Sequence, residues 1–311
     1  MATQDPPVAV PTLPLGREVV PAIGYGVGTA WFKAEGTERE TFLRDGVVAA
    51  LDAGFRHLDE AEMYANEGAS GKAIGDWLSR TGTPRSDLFI TSKVISVDDP
   101  GVEGVCRRSL ERMGLTYFDL YLVHAPFQTD GKPFAKSLAE VWKEMESLVD
   151  AGLVKAIGVS NWRICDLEEI YEGARIKPVC NQVEAHPYLQ QNKLLQWCGA
   201  RGILIASYSP LGSLVKDVLK EGPIDAVVNG IAERLGRSPG QVLLRWNLQT
   251  GRCVITTSSK PERMAECLGI FAFELSPADV AEISAAGAER PRRAFWTQCA
   301  QFPESPSQAE E

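Results

Sequence analysis

The chain has 311 residues, and its 41 acidic against 32 basic side chains give a formal net charge of −9. Hydrophobic residues make up 44% of the sequence and charged residues 23%, which suffices for one large core and excludes a disordered or fibrous protein. The acidic balance argues against nucleic acid or an anionic membrane as the main partner, because both bind basic surfaces. A small molecule is therefore the expected ligand.

The seven cysteines are scattered, and no two of them have the C-x-x-C spacing of a redox or zinc motif. The N-terminus lacks the basic and apolar segments of a secretion signal, and no apolar stretch approaches the ~18 residues of a membrane span. We therefore predict a cytoplasmic protein with reduced thiols. Residues 1–9 and the Pro- and Glu-rich segment 303–311 have little to bury and are predicted to be mobile tails.

Short β-type runs alternate with amphipathic helical stretches from Ile23 to Ile283, a pattern typical of parallel βα units. Eight strands are predicted, at 23–28, 55–59, 87–93, 118–124, 154–160, 179–184, 203–209 and 253–257. Capping sequences predict helix starts where Thr37 precedes Glu40, Ser137 precedes Glu140, Ser238 precedes Gln241 and Ser276 precedes Pro277. Eight parallel strands with such helices predict an α/β fold, a single-domain (β/α)8 TIM barrel.

Polar residues stand at or near the ends of nearly all the predicted strands. They are Asp59, Lys93, His124, Ser160, Gln182, Ser209, Thr256 and Thr257. In a parallel barrel these strand ends lie on one face, which is where the catalytic groups of such barrels are found. Lys93 follows an apolar run, and a buried ammonium needs a partner, for which Asp59 is the obvious candidate. The sequence therefore predicts an active site at the mouth of the barrel.

Several segments resemble, in the same order, the motifs of the aldo-keto reductases. They are GFRHLDEAEMYANEGASGKAI (54–74), ITSK (90–93), LYLVHAPF (120–127), AIGVSNW (156–162), NQVEAHPYLQQ (181–191) and ASYSPLGS (206–213). The resemblance implies a tail over 1–14, an NADP(H)-dependent barrel over 15–290 with an N-terminal β-hairpin, and a C-terminal substrate loop and mobile tail over 291–311. It also implies reduction of a carbonyl to an alcohol with a nicotinamide cofactor, because no side chain can deliver a hydride.

The resemblance further implies a catalytic tetrad of Asp59, Tyr64, Lys93 and His124. Hydride arriving at a carbonyl carbon leaves negative charge on the oxygen, which must be stabilised and protonated. Tyr64 is the expected proton donor, and the Lys93 ammonium is expected to bring the pKa of this phenol closer to the working pH. Asp59 would hold Lys93 by a charge-assisted hydrogen bond, and His124 would orient the substrate carbonyl.

A second set of residues is assigned to the cofactor by the same resemblance. Ser160, Asn161 and Gln182 match the residues that bind the nicotinamide carboxamide, and Tyr208 matches the aromatic on which the ring stacks. Further cofactor contacts are expected from Gly28, Thr29, Ser209, Leu211, Ser213, Thr256 and Thr257.

The phosphate end of the cofactor site departs from the family pattern. Many members have Pro-Lys-Ser where this chain has Thr256-Thr257-Ser258, and the Asp that often pairs with that lysine is Val215 here. A predicted helix N-terminus follows, where backbone N–H groups also favour an anion. We expect Ser258, Ser259, Lys260 and Arg263 to bind the 2′-phosphate, which favours NADPH over NADH.

Substrate loops are predicted at 30–32, 125–132 and 291–302. The expected pocket lining is aromatic and consists of Trp31, Phe127, Trp162, Phe295 and Trp296, although Trp162 could equally pack beneath its loop. The segments HLDEAEMY and TTSSKPER resemble fungal reductases of conjugated polyketones and 2-dehydropantolactone. A compact activated dicarbonyl or ketolactone is therefore the first expected substrate and a general aldehyde the second.

Two other functions stay open at this point. Some proteins of this fold act mainly as cofactor-sensing regulatory subunits, which would keep the nicotinamide site and turn over slowly. Lys93 could instead form a Schiff base, as in a barrel lyase, but that hypothesis explains neither Tyr64 nor the cofactor residues. No metal site is expected, because His57, His124 and His186 lack ligand spacing. We expect a monomer or weak dimer.

Overall fold

The computed structural model describes residues 9–297, 299 and 302. The predicted mobile tails, 1–9 and 303–311, lie outside the described residues except for residue 9. An antiparallel hairpin of β1 (Thr12–Leu15) and β2 (Glu18–Pro21) opens the described chain and confirms the predicted N-terminal hairpin. It begins inside the segment 1–14 that was expected to be a tail. Leu15 and Val20 of the hairpin are buried against side chains of the barrel strands.

Eight parallel strands form a closed barrel, in which β10 pairs with both β9 and β3. The strands are β3 (Ile23–Gly26), β4 (His57–Asp59), β5 (Phe89–Val94), β6 (Phe118–Val123), β7 (Val154–Ser160), β8 (Cys180–Glu184), β9 (Leu204–Tyr208) and β10 (Arg252–Thr256). The predicted (β/α)8 TIM barrel is confirmed, and no predicted strand end differs from the observed one by more than two residues.

Helices surround the barrel and pack on its outer wall. They are α1 (Glu40–Ala53), α2 (Glu67–Thr81), α3 (Val102–Met113), α4 (Leu138–Asp150), α5 (Ile164–Tyr171), α6 (Asn192–Gly199), α7 (Gly212–Val215), α8 (Ile224–Leu235), α9 (Pro239–Gln249), α10 (Pro261–Leu268) and α11 (Pro277–Ala288). On α1, Leu43, Val47 and Leu51 form an apolar stripe, and all three are fully buried in the main core.

Three of the four predicted helix starts are confirmed, because Ser137, Ser238 and Ser276 form capping boxes at α4, α9 and α11. The capping box predicted for Thr37 and Glu40 is wrong. The N-cap of α1 is Arg39, without a side-chain hydrogen bond. The Thr37 hydroxyl donates to the Ala34 carbonyl in the preceding turn, and the Glu40 carboxylate accepts from the Gly36 N–H.

Two negative findings concern the described part of the chain. None of its helices combines the length and apolar character needed to cross a bilayer. All seven cysteines are free thiols, and only Cys165 is exposed.

Candidate active site

Lys93 lies at the centre of the polar groups in the barrel mouth. It is on β5, next to β4, which ends at Asp59, and its side chain is fully buried. Its ammonium donates to the Asp59 carboxylate (2.7 Å), to the Glu60 carbonyl (2.8 Å) and to the Tyr64 hydroxyl (3.0 Å). All three N–H groups of the ammonium are therefore used. Burial lowers the pKa of Lys93, and the neighbouring Asp59 opposes this shift.

Tyr64 belongs to a short 3-10 turn, Glu62–Tyr64, that follows β4 and brings its hydroxyl to Lys93. Burial raises the pKa of Tyr64 well above its usual value, and the charges of Asp59 and Glu60 act in the same direction. The net shift is upward because burial and the two carboxyl groups outweigh the lowering effect expected of the Lys93 ammonium. Tyr64 keeps its proton at neutral pH.

Glu60 is a buried carboxyl group that the sequence analysis did not single out. It is completely inaccessible, and the Ser70 hydroxyl donates to its Oε1 (2.5 Å). Burial raises the pKa of Glu60 to about 8, so this side chain is mostly protonated at neutral pH. The site at neutral pH therefore contains one ammonium, Lys93, next to one adjacent carboxylate, Asp59.

His124 directly follows β6, and its ring meets the Tyr64 ring edge to face, with centroids 5.7 Å apart. Burial, together with the nearby Lys93 charge, lowers the pKa of His124 well below its usual value. The imidazole is therefore neutral at physiological pH and has one N–H to donate. Its Nδ1 has no hydrogen-bond partner among the residues that the structure describes.

The predicted carboxamide-binding residues also connect to the tetrad by hydrogen bonds that the sequence did not reveal. The Gln182 amide donates to the second oxygen of Asp59 (2.7 Å), and the Ser160 hydroxyl donates to the Gln182 carbonyl (2.8 Å). The Asn161 amide donates to the His124 carbonyl (2.9 Å) and accepts from the Tyr208 hydroxyl (2.8 Å). These side chains therefore support the catalytic groups as well as the expected nicotinamide site.

Gly28 lies against the face of the Tyr64 ring. A Cβ added at Gly28 would lie 2.7 Å from Tyr64 Cζ, which is closer than real contacts allow. Only glycine lets the backbone approach this ring so closely. Thr29, the next residue, is exposed.

We expect Gly28→Ala to displace the Tyr64 ring and lower kcat by about 10²-fold, since misplacing a reacting group by about an ångström has this effect. Gly75→Ala on α2 is the matched control, because no heavy atom lies within 4 Å of its added Cβ. Steady-state kinetics and thermal unfolding of both variants provide the measurement. Equal kcat values for the two variants would contradict the close approach.

The segment after β9, which includes the start of α7, contains three of the predicted cofactor residues. Ser209 adopts a left-handed backbone (φ 55°), and Leu211 is the N-cap of α7. Ser213 is 2% exposed, and its hydroxyl has no hydrogen-bond partner within the described residues. A buried hydroxyl without a partner is costly, so it fits the edge of a polar ligand.

The predicted phosphate-binding residues follow β10, and α10 begins at Pro261 as expected. Thr256 is buried, Thr257 and Ser258 are half-buried, and the remaining three are exposed: Ser259, Lys260 and Arg263. The Ser258 hydroxyl accepts from the Lys260 N–H (3.1 Å), and no side chain caps the helix. Neither Lys260 nor Arg263 forms an ion pair in the described part of the chain, so both cations are available to an anion.

Of the five predicted aromatic residues, Trp296 contacts the tetrad directly, and Phe127 and Phe295 contact its neighbours. The Trp296 ring lies 6.0 Å from His124 and 5.6 Å from Phe127 between centroids. Phe295 meets Tyr208 edge to face, with centroids 5.5 Å apart. Met63 and Phe302, which the sequence analysis did not name, pack in the same cluster as Phe127 and Trp296.

Trp31 was expected to line the pocket, and Trp162 either to line it or to pack beneath its loop; the structure buries both side chains in the main core. Trp162 is 1% exposed and packs in the main core. Trp31 donates to the Tyr25 hydroxyl (3.2 Å), and both side chains lie against Gly46 of α1.

The chain combines a (β/α)8 barrel with a buried Asp-Lys-Tyr-His cluster at its mouth, and comparison with known proteins assigns the family. The Aldo/keto reductase family matches residues 22–288, so the chain belongs to this family of oxidoreductases. The chain is 41% identical to the NAD/NADP-dependent indole-3-acetaldehyde reductase of Schizosaccharomyces pombe, over 89% of this chain and 95% of that protein. It is 38% identical to the NADPH-dependent alpha-keto amide reductase of Saccharomyces cerevisiae, over 89% and 91% respectively.

Among solved structures, the chain is similar to a Bombyx mori aldo-keto reductase in complex with NADP. The TM-score is 0.85 at 29% identity, and the alignment covers 96% of this chain and all of the other. An aldo/keto reductase from Brucella melitensis aligns with a TM-score of 0.77 at 35% identity, over 89% of this chain and all of the other. The closer resemblance to fungal polyketone and lactone reductases stays a prediction.

Proposed function

We propose that the protein reduces a small-molecule carbonyl to an alcohol with NADPH and that Tyr64 is the proton donor. The observation that carries the proposal is the buried Lys93 ammonium, which donates to both the Asp59 carboxylate and the Tyr64 hydroxyl. This contact places a fixed positive charge beside the Tyr64 hydroxyl. The charge stabilises the phenolate that forms when Tyr64 gives up its proton. A Schiff-base role for Lys93 is disfavoured, because all three N–H groups of the ammonium are engaged.

The nicotinamide cofactor, when bound, supplies a hydride to the carbonyl carbon. Tyr64 donates a hydrogen bond to the carbonyl oxygen and transfers its proton to that oxygen as the charge develops. Lys93 stabilises the resulting phenolate, and Asp59 keeps the ammonium in position. Neutral His124 donates a second hydrogen bond that orients the carbonyl.

The residues around this site fit a dinucleotide. Tyr208 offers an aromatic face, and the Asn161 and Gln182 amides offer a donor and an acceptor to a carboxamide. The unpartnered Ser213 hydroxyl and the two cations at the start of α10 fit phosphate groups. The named relatives support the choice of cofactor, since one is NAD/NADP-dependent and the other NADPH-dependent.

For the substrate we propose a compact activated dicarbonyl or ketolactone first and a general aldehyde second. The names of the two yeast relatives support these two classes, an alpha-keto amide in one and an aldehyde in the other. We also propose a catalytic barrel over 15–290, a substrate loop from 291 onward and a cytoplasmic location. The free thiols of all seven cysteines support a reducing compartment.

A panel of dicarbonyls, uronic acids and aldehydes, each with NADPH and with NADH, tests the proposal by steady-state kinetics. We expect cofactor oxidation coupled to alcohol formation, fastest with activated dicarbonyls. Tight NADPH binding without turnover on any carbonyl would favour a cofactor-sensing subunit. Covalent trapping of substrate on Lys93 by borohydride would favour a Schiff-base lyase.

The cofactor preference is tested by the double variant Lys260→Ala/Arg263→Ala. We expect NADPH affinity to fall about 10- to 100-fold and NADH affinity to stay nearly unchanged, since a charge-assisted phosphate contact contributes about that much. The effect should shrink with salt, because both side chains are exposed. Fluorescence titration of both cofactors provides the measurement.

Arg108→Ala/Lys143→Ala is the matched control, since it removes the same charge from exposed positions on α3 and α4. An equal loss of NADPH and NADH affinity in Lys260→Ala/Arg263→Ala would show that this loop does not distinguish the two cofactors by the 2′-phosphate.

A further inference from the structure

Arg293, in the C-terminal segment beside the candidate active site, is a buried cation without a counter-ion among the described residues. Its side chain is only 6% exposed, and its Nε is enclosed without a hydrogen-bond acceptor. No ion pair or hydrogen bond of its guanidinium is formed anywhere in residues 9–297, 299 and 302. A guanidinium does not lose its proton in a protein, so it cannot relieve the cost of burial as a lysine or histidine can. An anion is the natural partner for such a group.

The backbone on both sides of Arg293 is fixed to the barrel. The Arg292 N–H donates to the Tyr188 carbonyl (2.9 Å). The N–H groups of Ala294 and Phe295 donate to the two carboxylate oxygens of Glu184 (2.9 and 3.0 Å). Arg293 is therefore held in place by its neighbours, and its own side chain is not needed to anchor the segment.

Glu184 is a carboxylate in the same region, and its described partners are other donors, not the Arg293 guanidinium. Besides the two N–H groups, His186 Nε2 lies 2.9 Å from Glu184 Oε1. Both Glu184 and Arg293 affect the pKa of Tyr208, with opposite signs, which places the two charges in the same region of the barrel mouth. The guanidinium therefore remains available to a ligand.

The surroundings of Arg293 lead to the tetrad through aromatic contacts. The guanidinium carbon lies 4.7 Å from the centre of the Phe302 ring, and Phe302 packs on Phe127 with centroids 5.7 Å apart. Phe127 contacts Trp296, which contacts His124. These contacts connect Arg293 to the tetrad on the side of the mouth formed by Phe127 and Trp296. The predicted phosphate-binding residues are on other loops, after β9 and β10.

We propose that Arg293 binds a carboxylate carried by the carbonyl substrate, so that the enzyme prefers oxo acids to neutral carbonyl compounds. The planar fork of the guanidinium matches the two oxygens of a carboxylate, and the aromatic wall fits the apolar part between the two functional groups. The proposal rests on the proposed carbonyl reduction and adds the anionic class of substrate to it.

The test compares 4-carboxybenzaldehyde with its neutral methyl ester in the parent protein, Arg293→Met and Arg293→Lys, all with NADPH. We expect Arg293→Met to lower kcat/KM for the acid about 10- to 100-fold, mainly through KM, and to leave the ester nearly unchanged. Arg293→Lys should be intermediate, because the charge remains while the fork is lost. The preference of the parent for the acid should weaken as salt rises.

Three further measurements separate this role from others. Thermal unfolding of Arg293→Met should be unchanged or shifted upward, since an unpartnered buried charge is removed. The NADPH dissociation constant should not change. Equal losses for acid and ester, a weakened NADPH complex or a lower unfolding midpoint would each overturn the proposal. Calorimetric binding of 4-carboxybenzyl alcohol to parent and variant tests Arg293 without turnover, so a parent that reduces neither aldehyde defeats only the proposed function.

Discussion

Tyr64→Phe is expected to lose carbonyl reduction, with kcat falling by a factor on the order of 10²–10⁴, the usual contribution of a positioned proton donor. The variant keeps the aromatic ring against Gly28 and His124 but removes the hydroxyl that lies 3.0 Å from Lys93 Nζ. The other tetrad residues do not replace the Tyr64 hydroxyl as proton donor. His124 is neutral, and the Lys93 ammonium is held in a hydrogen bond to Asp59. Steady-state kinetics at neutral pH measures the loss.

The cofactor should still bind to Tyr64→Phe with nearly the parent affinity, which fluorescence titration with NADPH determines. Tyr117→Phe serves as the matched control, since it removes a phenol hydroxyl near Arg85 and Lys155, away from the tetrad. Activity of Tyr64→Phe within about tenfold of the parent would falsify the assignment of this residue as the proton donor.

The strands and most helix starts could be predicted from sequence because they depend on local patterns. Alternating apolar runs marked the barrel strands, and Ser137 and Ser238 each stand three residues before the partner of their capping box. Thr37 has the same spacing to Glu40, but a tight turn at Ala34 takes its hydroxyl. A local motif therefore predicts a cap only where the preceding chain leaves the side chain free.

The candidate site was predictable in its residue types but not in its connections. The hydrogen bond from Gln182 to Asp59 joins residues 123 positions apart, and that from Asn161 to His124 joins residues 37 apart. Such contacts depend on how the barrel closes, which no short motif encodes. For Trp162, an indole next to a site motif could have pointed toward either the mouth or the core, and only the packing decides.

The direction of the Tyr64 pKa shift also could not be predicted from the sequence motifs. The motifs predict one charged neighbour for the Tyr64 hydroxyl, the Lys93 ammonium. By itself this charge would lower the pKa of the phenol. The structure adds burial and the charges of Asp59 and Glu60, and their sum raises it. The balance depends on solvent exclusion and on all nearby charges, so one expected neighbour does not determine it.

Lys93→Met is expected to be as damaging to turnover as Tyr64→Phe and also to destabilise the fold. Methionine fills a similar volume but leaves the Asp59 carboxylate, 3% exposed, with Gln182 as its remaining side-chain partner. Breaking a buried ion pair by removing one member typically costs about 3–5 kcal/mol of unfolding free energy, because the other charge stays buried. Tyr64 would lose the cation that stabilises its phenolate, so its pKa should rise further and proton transfer should slow.

The double variant Asp59→Asn/Lys93→Met separates these two effects. With both charges removed, much of the lost stability should return, because Asp59 no longer remains as a buried charge without its partner. Turnover should not return, since neither asparagine nor methionine can stabilise the Tyr64 phenolate. Denaturant unfolding and steady-state kinetics on the parent, Asp59→Asn, Lys93→Met and the double variant complete the cycle. A Lys93→Met protein with parental stability and activity would contradict both the buried ion pair and the role of Lys93, and a double variant that regains activity would contradict the role alone.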